Sequence, residues 1–284
     1  MTDTWTPSER AREREAYRRS RARRSVTISA ASTTVLAVAL VAVVVTSPGW
    51  PRVQASFFDP EVAWAALPDV ATGMWLNIRV WLAASVLMLV GGAVLAVLRT
   101  LQGPVFWPLR ALATAYVDLF RGLPVIIVLY LVLFGIPGLR LQGTPTNQAV
   151  LGTIALTMTY SAYVCEVLRA GIESIHPSQR AAARSLGLTN GQTMRFVVLP
   201  QAVRRVVPPL LNDVVSMQKD AGLISLGGSI LDAIRYAQIQ TAETASFTPY
   251  LVAGVLFLLL SIPLTRLTDR VSRRPGAVPV GGLV

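Results

Sequence analysis

The chain holds a single histidine, His176, and a single cysteine, Cys165. The residue types that most often hold a metal or act as nucleophile and base are therefore nearly missing. No HExxH pair occurs, and one cysteine cannot form an intrachain disulfide. Neither a GxxxxGK[ST] phosphate loop nor an acidic strand of the kind that follows one is present, so the chain lacks the parts for binding ATP in that manner. Glu166 and Asp213 could be posed as paired carboxylates of a membrane-embedded enzyme, but nothing in their spacing supports it. What remains is a set of polar side chains within apolar text: Arg121, Glu166, Asn212, Asp213, Ser216, Gln218, Lys219 and Asp220, with Asn77 and Arg79 as further members. Such groups are costly in lipid and commonly face a bundle interior or a water-filled path. Each also has a structural alternative. Arg79 can snorkel to the interface, Glu166 can pair with Arg169 one turn away, and Lys219 with Asp220 can form an ion pair at a helix end.

A second kind of chemistry is mechanical. Residues 179–200 read QRAAARSLGLTNGQTMRFVVLP, too polar to cross a bilayer. Pro177 suits the first turn of a helix over Ser178 to Leu186, and Gly187 supplies its stop. Thr189 and Gln192 make a T-x-x-Q capping box opening a second short helix through about Val198. Leu199-Pro200 is expected to end it, because proline disfavours helical geometry in the residue before it. The spacing thus predicts a helix–turn–helix. Ala181, Ala182 and Ala183 at its tip permit close approach of another protein, with Arg180 and Arg184 rimming the contact. An interfacial hairpin without a partner is the alternative reading.

The elements that must carry these groups are membrane spans. The chain is 53% hydrophobic and 14% charged, against about 25% charged in soluble domains. Six stretches reach the length a bilayer demands: 26–46, 74–98, 112–136, 148–168, 206–229 and 248–268. The fifth is interrupted by Pro208 and Pro209, and a broken helix there would free backbone groups beside Asn212 and Asp213. Residues 26–46 are too long for the apolar core of a signal peptide and are read as a retained helix. Asp59-Pro60 with Glu61 is expected to start a short helix on the membrane surface.

The net charge of +11 comes from clusters. Eight arginines fall between Arg10 and Arg24, Arg266, Arg270, Arg273 and Arg274 close the other end, and Arg169 to Arg205 holds six. With the N-terminus inside, the three loops that fall outside hold one arginine each, Arg52, Arg140 and Arg235. This asymmetry puts both termini and the hairpin in the cytoplasm. It accounts for the basic charge without nucleic acid as a partner. A lipid-binding scaffold with basic ends is a separate reading, but it leaves the capped hairpin unexplained.

The stretch AAARSLG, followed twelve residues after Gly187 by Leu199-Pro200, resembles the EAA loop of binding-protein-dependent ABC importer permeases. The wider text from Glu166 to Leu226, and FRGLP at Phe120 to Pro124, resemble the polar amino-acid branch, whose motif reads FRGTP. The sequence departs from the pattern at Ala181 in place of the usual glutamate, at Leu123 in place of threonine, and at KDAGL in place of a KDTSL-like run. The resemblance covers roughly residues 70 to 270.

It implies an all-α integral membrane protein of about six transmembrane helices, similar to type I ABC importer permeases, in the bacterial cytoplasmic membrane. A basic tail (1–25) and an added helix (26–46) precede a permease domain (70–270) with a coupling loop near 169–205, and a tail (271–284) follows. In that family the loop docks into a groove on an ATP-hydrolysing subunit. The resemblance therefore implies that Arg180, Ala181, Ala182, Ala183, Arg184, Ser185, Leu186, Gly187, Leu199 and Pro200 meet an ATPase dimer. ATP and Mg would be held by that partner and no cofactor by this chain. It further implies a second permease chain, an extracytoplasmic solute-binding protein and an amino-acid substrate. A path with both charge signs suits a zwitterion, while a peptide, anion or metal permease is the nearest alternative.

Overall fold

The computed structural model describes residues 8–101 and 103–272, all without strands. Arg273, Arg274 and the rest of the 271–284 tail beyond Ser272, like the first seven residues, lie outside the described residues. The chain divides between Phe58 and Asp59 into two compact units.

In the first unit, α1 (Glu9–Val45) is one continuous helix that takes in both the arginine run and the apolar run. Its segment Arg24–Val45 has 22 residues and is apolar enough to cross a membrane. It ends where Thr46 turns its hydroxyl back to the Ala42 carbonyl at 2.7 Å. The short α2 (Trp50–Phe57) follows, with Pro51 in its first turn, where a missing donor costs nothing.

The second unit begins at Asp59, whose carboxylate accepts from the amides of Glu61 (2.9 Å) and Val62 (3.2 Å). The expected helix start is there, but the expected short surface helix is not. α3 (Pro60–Thr100) instead runs 41 residues and passes through Pro68. Proline removes only one donor, and buried Ala66, Val70 and Met74 hold the helix on both sides of it.

The stretch expected to span at 112–136 is not one straight helix. α4 (Trp107–Gly122) and α5 (Val125–Tyr130) meet at a bend of 108°. The cause is Leu123-Pro124. Leu123 adopts extended geometry (φ −94°, ψ 136°), as a residue before proline prefers, and Pro124 offers no N–H. A π-helical segment, Leu131–Gly135, and α6 (Ile136–Gly138) complete this limb.

α7 (Gln148–Glu173) is capped by Asn147, whose side chain accepts from Ala149 and Val150. It packs closely on α3 through small residues. A Cβ at Gly92 would lie 2.3 Å from Val164 Cγ1, and one at Gly91 would lie 2.6 Å from Ser161 Oγ. Where lipid removes the hydrophobic drive between helices, such close approach supplies the association. Met88, Leu129, Leu133, Leu156, Met217 and Ile224 fill the core around this pair.

Next come α8 (Pro177–Ser185), α9 (Asn190–Thr193) and α10 (Leu199–Asp220). The expected break at Pro208-Pro209 is absent, since α10 runs through both prolines. Buried Ala202, Val206, Val215 and Met217 anchor it on either side of the pair, and the Trp81 indole donates to the Val214 carbonyl at 2.8 Å. The helix ends instead in a 3-10 segment, Ala221–Gly227, followed by Gly228 at φ +78°. α11 (Ala233–Thr244) and α12 (Thr248–Ser272) close the fold.

Among the described residues four helical stretches, in α1, α3, α7 and α12, are long and apolar enough to span, and the bent α4–α6 pair makes a fifth if counted as one span. α10 falls outside this set because it carries Arg204, Arg205, Asp213, Lys219 and Asp220.

Candidate functional site

The hairpin forms as its spacing predicts, with one addition at its entry. His176 stands before α8 in extended geometry, and its Nδ1 accepts from the Ser178 amide at 3.2 Å. At the other end the Leu188 amide donates to the Ala183 carbonyl (3.2 Å) and the Gly187 amide to the Arg184 carbonyl (2.9 Å). This is a Schellman stop, and it needs the left-handed φ of +84° that Gly187 adopts without strain. The capping box is complete. Thr189 donates its amide to Gln192 Oε1 at 2.9 Å, and the Gln192 amide donates to Thr189 Oγ1 at 3.3 Å.

Two expectations about the hairpin are corrected. Leu199-Pro200 does not end the second helix. A π-helical segment, Met194–Val198, leads directly into α10, and Pro200 sits in that helix's first turn, where its missing donor costs least. The second arm is thus continuous with α10. Arg180, expected on the rim, folds back so that its Nη2 donates to the Ile172 carbonyl at 2.8 Å. The Arg180 guanidinium braces the hairpin against α7.

The remaining tip residues divide by exposure. Ala181, Ala182, Arg184, Ser185 and Gly187 are exposed, and Leu186 is 84% exposed, whereas Ala183 is buried inside the hairpin. Leu199 and Pro200 are exposed on the second arm. Beside them Phe196 is 61% exposed, with the Arg195 guanidinium 5.6 Å from its ring centre. Sequence reasoning passed over Phe196, although an aromatic residue in a polar stretch was signal enough. Leu186 and Phe196 together give the hairpin an unpartnered apolar surface.

Its feet are tightly mounted. Arg205 Nη1 donates to the Ser174 carbonyl at 2.6 Å, and Gln201 Nε2 donates to Gln179 Oε1 at 2.6 Å. A Cβ at Gly171 would lie 2.0 Å from Val206 Cγ1, so α7 and α10 touch directly at the base.

The intramembrane candidates separate into three groups. Glu166 and Arg121 come together, with Arg121 Nη1 3.8 Å from Glu166 Oε2, but the closer partners of Glu166 are Arg99, at 2.9 Å, and Arg169. Arg169 also pairs with Glu173. The expected Glu166–Arg169 pair is therefore present inside a larger node linking α3, α4 and α7. Arg99 was the missed member, and no local spacing could have revealed it.

The second group is one face of α10. Asn212, Ser216 and Lys219, at i, i+4 and i+7, are all exposed on a single stripe. Lys219 borders a groove of about 620 Å³ between α10 and α12, with Phe257, Ser261, Thr265 and Arg266 along it. The third group is engaged within the fold. Gln218 is buried and its Oε1 accepts from the Ser261 hydroxyl, and Asp220 accepts from the Tyr160 hydroxyl at 2.8 Å. The expected Lys219–Asp220 ion pair is absent. Asp213 is half-buried, and its Oδ2 has no hydrogen-bond partner among the described residues.

A further buried junction joins Asn77 to a residue that sequence reasoning overlooked, Asp232. Asn77 Nδ2 donates to Asp232 Oδ2 at 3.0 Å and to the Ala221 carbonyl at 2.9 Å, while its Oδ1 accepts from the Ala233 amide at 3.1 Å. Among the described residues no group of three or more His, Cys, Asp or Glu side chains is placed to hold a metal.

Residues 92–276 match the family model described as the binding-protein-dependent transport system inner membrane component. The chain is similar to the probable glutamine ABC transporter permease protein GlnM of Bacillus subtilis (strain 168), with 39% identity over 188 residues, covering 65% of this chain and 84% of that protein. It is similar also to the glutamate/aspartate import permease protein GltK of Escherichia coli O157:H7, with 32% identity over 223 residues, covering 76% and 98%. A solved chain from the crystal structure of an amino acid ABC transporter with histidines aligns with a TM-score of 0.67 at 29% identity, covering 73% of this chain and 94% of that chain. A helical bundle with a capped polar hairpin between its spans, matched through that hairpin by a family model, leads to one assignment: the chain belongs to the binding-protein-dependent transport system inner membrane component family.

Proposed function

We propose that this chain is the permease subunit of an ABC importer for a polar amino acid, forming half of the transmembrane pathway. ATP with Mg is bound and hydrolysed on a separate ATPase dimer, since this chain has no phosphate loop. A second permease chain completes the pathway, and an extracytoplasmic binding protein delivers the solute. Amino-acid specificity rests on the names of the relatives, which are permeases for glutamine and for glutamate or aspartate. Arginine placement supports cytoplasmic termini and a cytoplasmic hairpin.

The observation that carries the reading is a hairpin whose tip is exposed and whose base is clamped. Exposed Ala181 and Ala182 let a groove close around the tip, and Leu186 and Phe196 offer it apolar surface. Because the second arm continues into α10, a displacement of the tip is passed to the helix bearing Asn212, Ser216 and Lys219. Those residues and the Arg121–Glu166 node are the proposed polar lining. Coupling then requires two discrete arrangements of packed helices whose balance nucleotide shifts.

Deletion of Ser178 to Leu188 tests the docking. Membrane insertion is expected to persist while co-purification with the ATPase is lost; continued association would contradict the reading. Stimulation of ATP hydrolysis by added amino acids in the assembled complex, against peptides and anions, tests the solute class.

A further inference from the structure

The arginines of α1 are used neither by the matched family region, which begins at residue 92, nor by the proposed coupling. Arg10, Arg14, Arg18, Arg21 and Arg24 are exposed, and none has an ion-pair partner among the described residues. At 100° per residue, Arg10, Arg14, Tyr17, Arg21 and Arg24 follow one another along a single face of the helix. Where this face meets the apolar segment, Tyr17, Arg21, Arg24, Ser25, Ile28 and Ser29 line one open patch of the helix surface.

The order of chemistry along this face is what matters. Arg24 opens the apolar segment Arg24–Val45. At about 1.5 Å per residue Arg21 lies roughly 4.5 Å outside it, while Ser25, Ile28 and Ser29 lie within about 8 Å inside it. From outside inward the face presents two guanidinium forks, then the Ser25 hydroxyl, the Ile28 side chain and the Ser29 hydroxyl. The first four follow a phospholipid read inward, with phosphate at the arginines, glycerol and ester oxygens at Ser25 and acyl chain at Ile28. Guanidinium forks match phosphate oxygens bidentately and release less hydration than an ammonium would. A zwitterionic headgroup carries the same phosphate but balances it with its own cation, so an anionic headgroup leaves more net charge for the two arginines.

We propose that Arg21 and Arg24, with Ser25 and Ile28 below them, form a site for one anionic phospholipid at the membrane edge of α1. Among the arginines of this one face, Arg10, Arg14, Arg21 and Arg24, distance selects these two. Arg10 and Arg14 stand roughly 21 and 15 Å out from Arg24 along the helix, beyond the roughly 8 Å over which physiological salt leaves surface charge unscreened. The site needs only that Arg24 sit at headgroup level, so it stands or falls separately from the importer reading.

The test uses the full chain in mild detergent, with native mass spectrometry of lipid adducts during titration with phosphatidylglycerol, phosphatidylcholine or soluble glycerol 3-phosphate. The expected result is selective retention of phosphatidylglycerol. R21Q/R24Q is expected to weaken it about 30-fold, at roughly fivefold per arginine near an anionic surface. R10Q/R14Q, which removes the same charge further out, is expected to change it less than about twofold. The single variants R21Q and R24Q, each about fivefold weaker, serve where the double variant fails to insert. Equal weakening by the two double variants would reduce the site to diffuse charge and overturn it. So would unchanged binding by R21Q/R24Q, equal retention of phosphatidylcholine, or full competition by glycerol 3-phosphate, which would make the ligand a free phosphate.

Discussion

Arg205 reaches from the first turns of α10 to the carbonyl oxygen of Ser174 at 2.6 Å, tying together the two feet of the hairpin. The contact spans 31 positions of sequence and leaves the tip between its ends free to be held by something else. A lever transmits displacement only if its base is stiff, so this bond belongs to the coupling account. Arg205→Gln is expected to leave insertion and ATPase association intact. It should lower solute-stimulated ATP hydrolysis by about fivefold, the equivalent of one partly exposed charged hydrogen bond of ~1 kcal/mol. Steady-state hydrolysis of the assembled complex, with and without solute, measures it.

Gly171 and Val206 set the spacing of the same base. Gly171→Ala would put a methyl carbon 2.0 Å from Val206 Cγ1, and overpacking of this kind costs about 1–3 kcal/mol. Val206→Ala removes the colliding atom. The double variant is therefore expected to recover most of the thermal stability that Gly171→Ala loses, as read by unfolding of the purified protein in detergent. Additive losses would contradict the contact.

Glu166 gathers three arginines of unequal weight. Arg99 approaches to 2.9 Å with its side chain 18% exposed, and Arg121 only to 3.8 Å with 42% exposed. Glu166→Gln leaves the part-buried Arg99 guanidinium without its carboxylate, while Arg169 keeps Glu173, and is expected to cost about 2 kcal/mol. Arg121→Gln is expected to cost less than ~1 kcal/mol, as exposed pairs usually do. If Arg121 instead contacts solute, Arg121→Gln would raise the solute concentration needed for half-maximal stimulation without altering stability.

Asn77 is the only polar link between α3 and the loop that carries Asp232 among the hydrogen bonds of the described residues. Asn77→Ala would remove the Asn77 partner of Asp232 Oδ2, of the Ala221 carbonyl and of the Ala233 amide, while Asp232 Oδ1 keeps the Arg235 amide, at an expected cost of about 3 kcal/mol. Asp232→Asn keeps an acceptor for only one of the two donors it now serves, Asn77 Nδ2 and the Arg235 amide, and is expected to cost less than Asn77→Ala because the Asn77 contacts to Ala221 and Ala233 remain. A double-mutant cycle on unfolding would show strong coupling between the two positions.

The parts of this fold legible in the sequence are those set by neighbours along the chain. Pro177, Gly187 and the Thr189–Gln192 box announced both short helices of the hairpin, and Asp59-Pro60 announced the start of α3, because caps and stops are decided within four residues. Prolines were harder, since their effect depends on packing. Pro124 bends its limb by 108°, while Pro68, Pro208 and Pro209 are carried inside helices. Partners distant in sequence were invisible. Arg99 meets Glu166 across 67 positions and Asp232 meets Asn77 across 155, and no periodicity encodes either meeting. The α10 stripe lay between these cases. Asn212, Ser216 and Lys219 were recognised as polar, but which of their neighbours turn inward, as Gln218 does toward Ser261, emerged only from the packing.

Cys165 is buried and is the one native cysteine, which makes site-directed crosslinking from the hairpin tip direct. With Leu186→Cys, a short bifunctional reagent applied to membranes containing the assembled transporter should yield a covalent adduct with the ATPase subunit. Leu141→Cys, in the exposed loop before α7, should yield none. Adduct formation at Leu186 that changes with nucleotide is the predicted result. Its absence, or equal adducts from both positions, would contradict the claim that this hairpin is the seat of the motor.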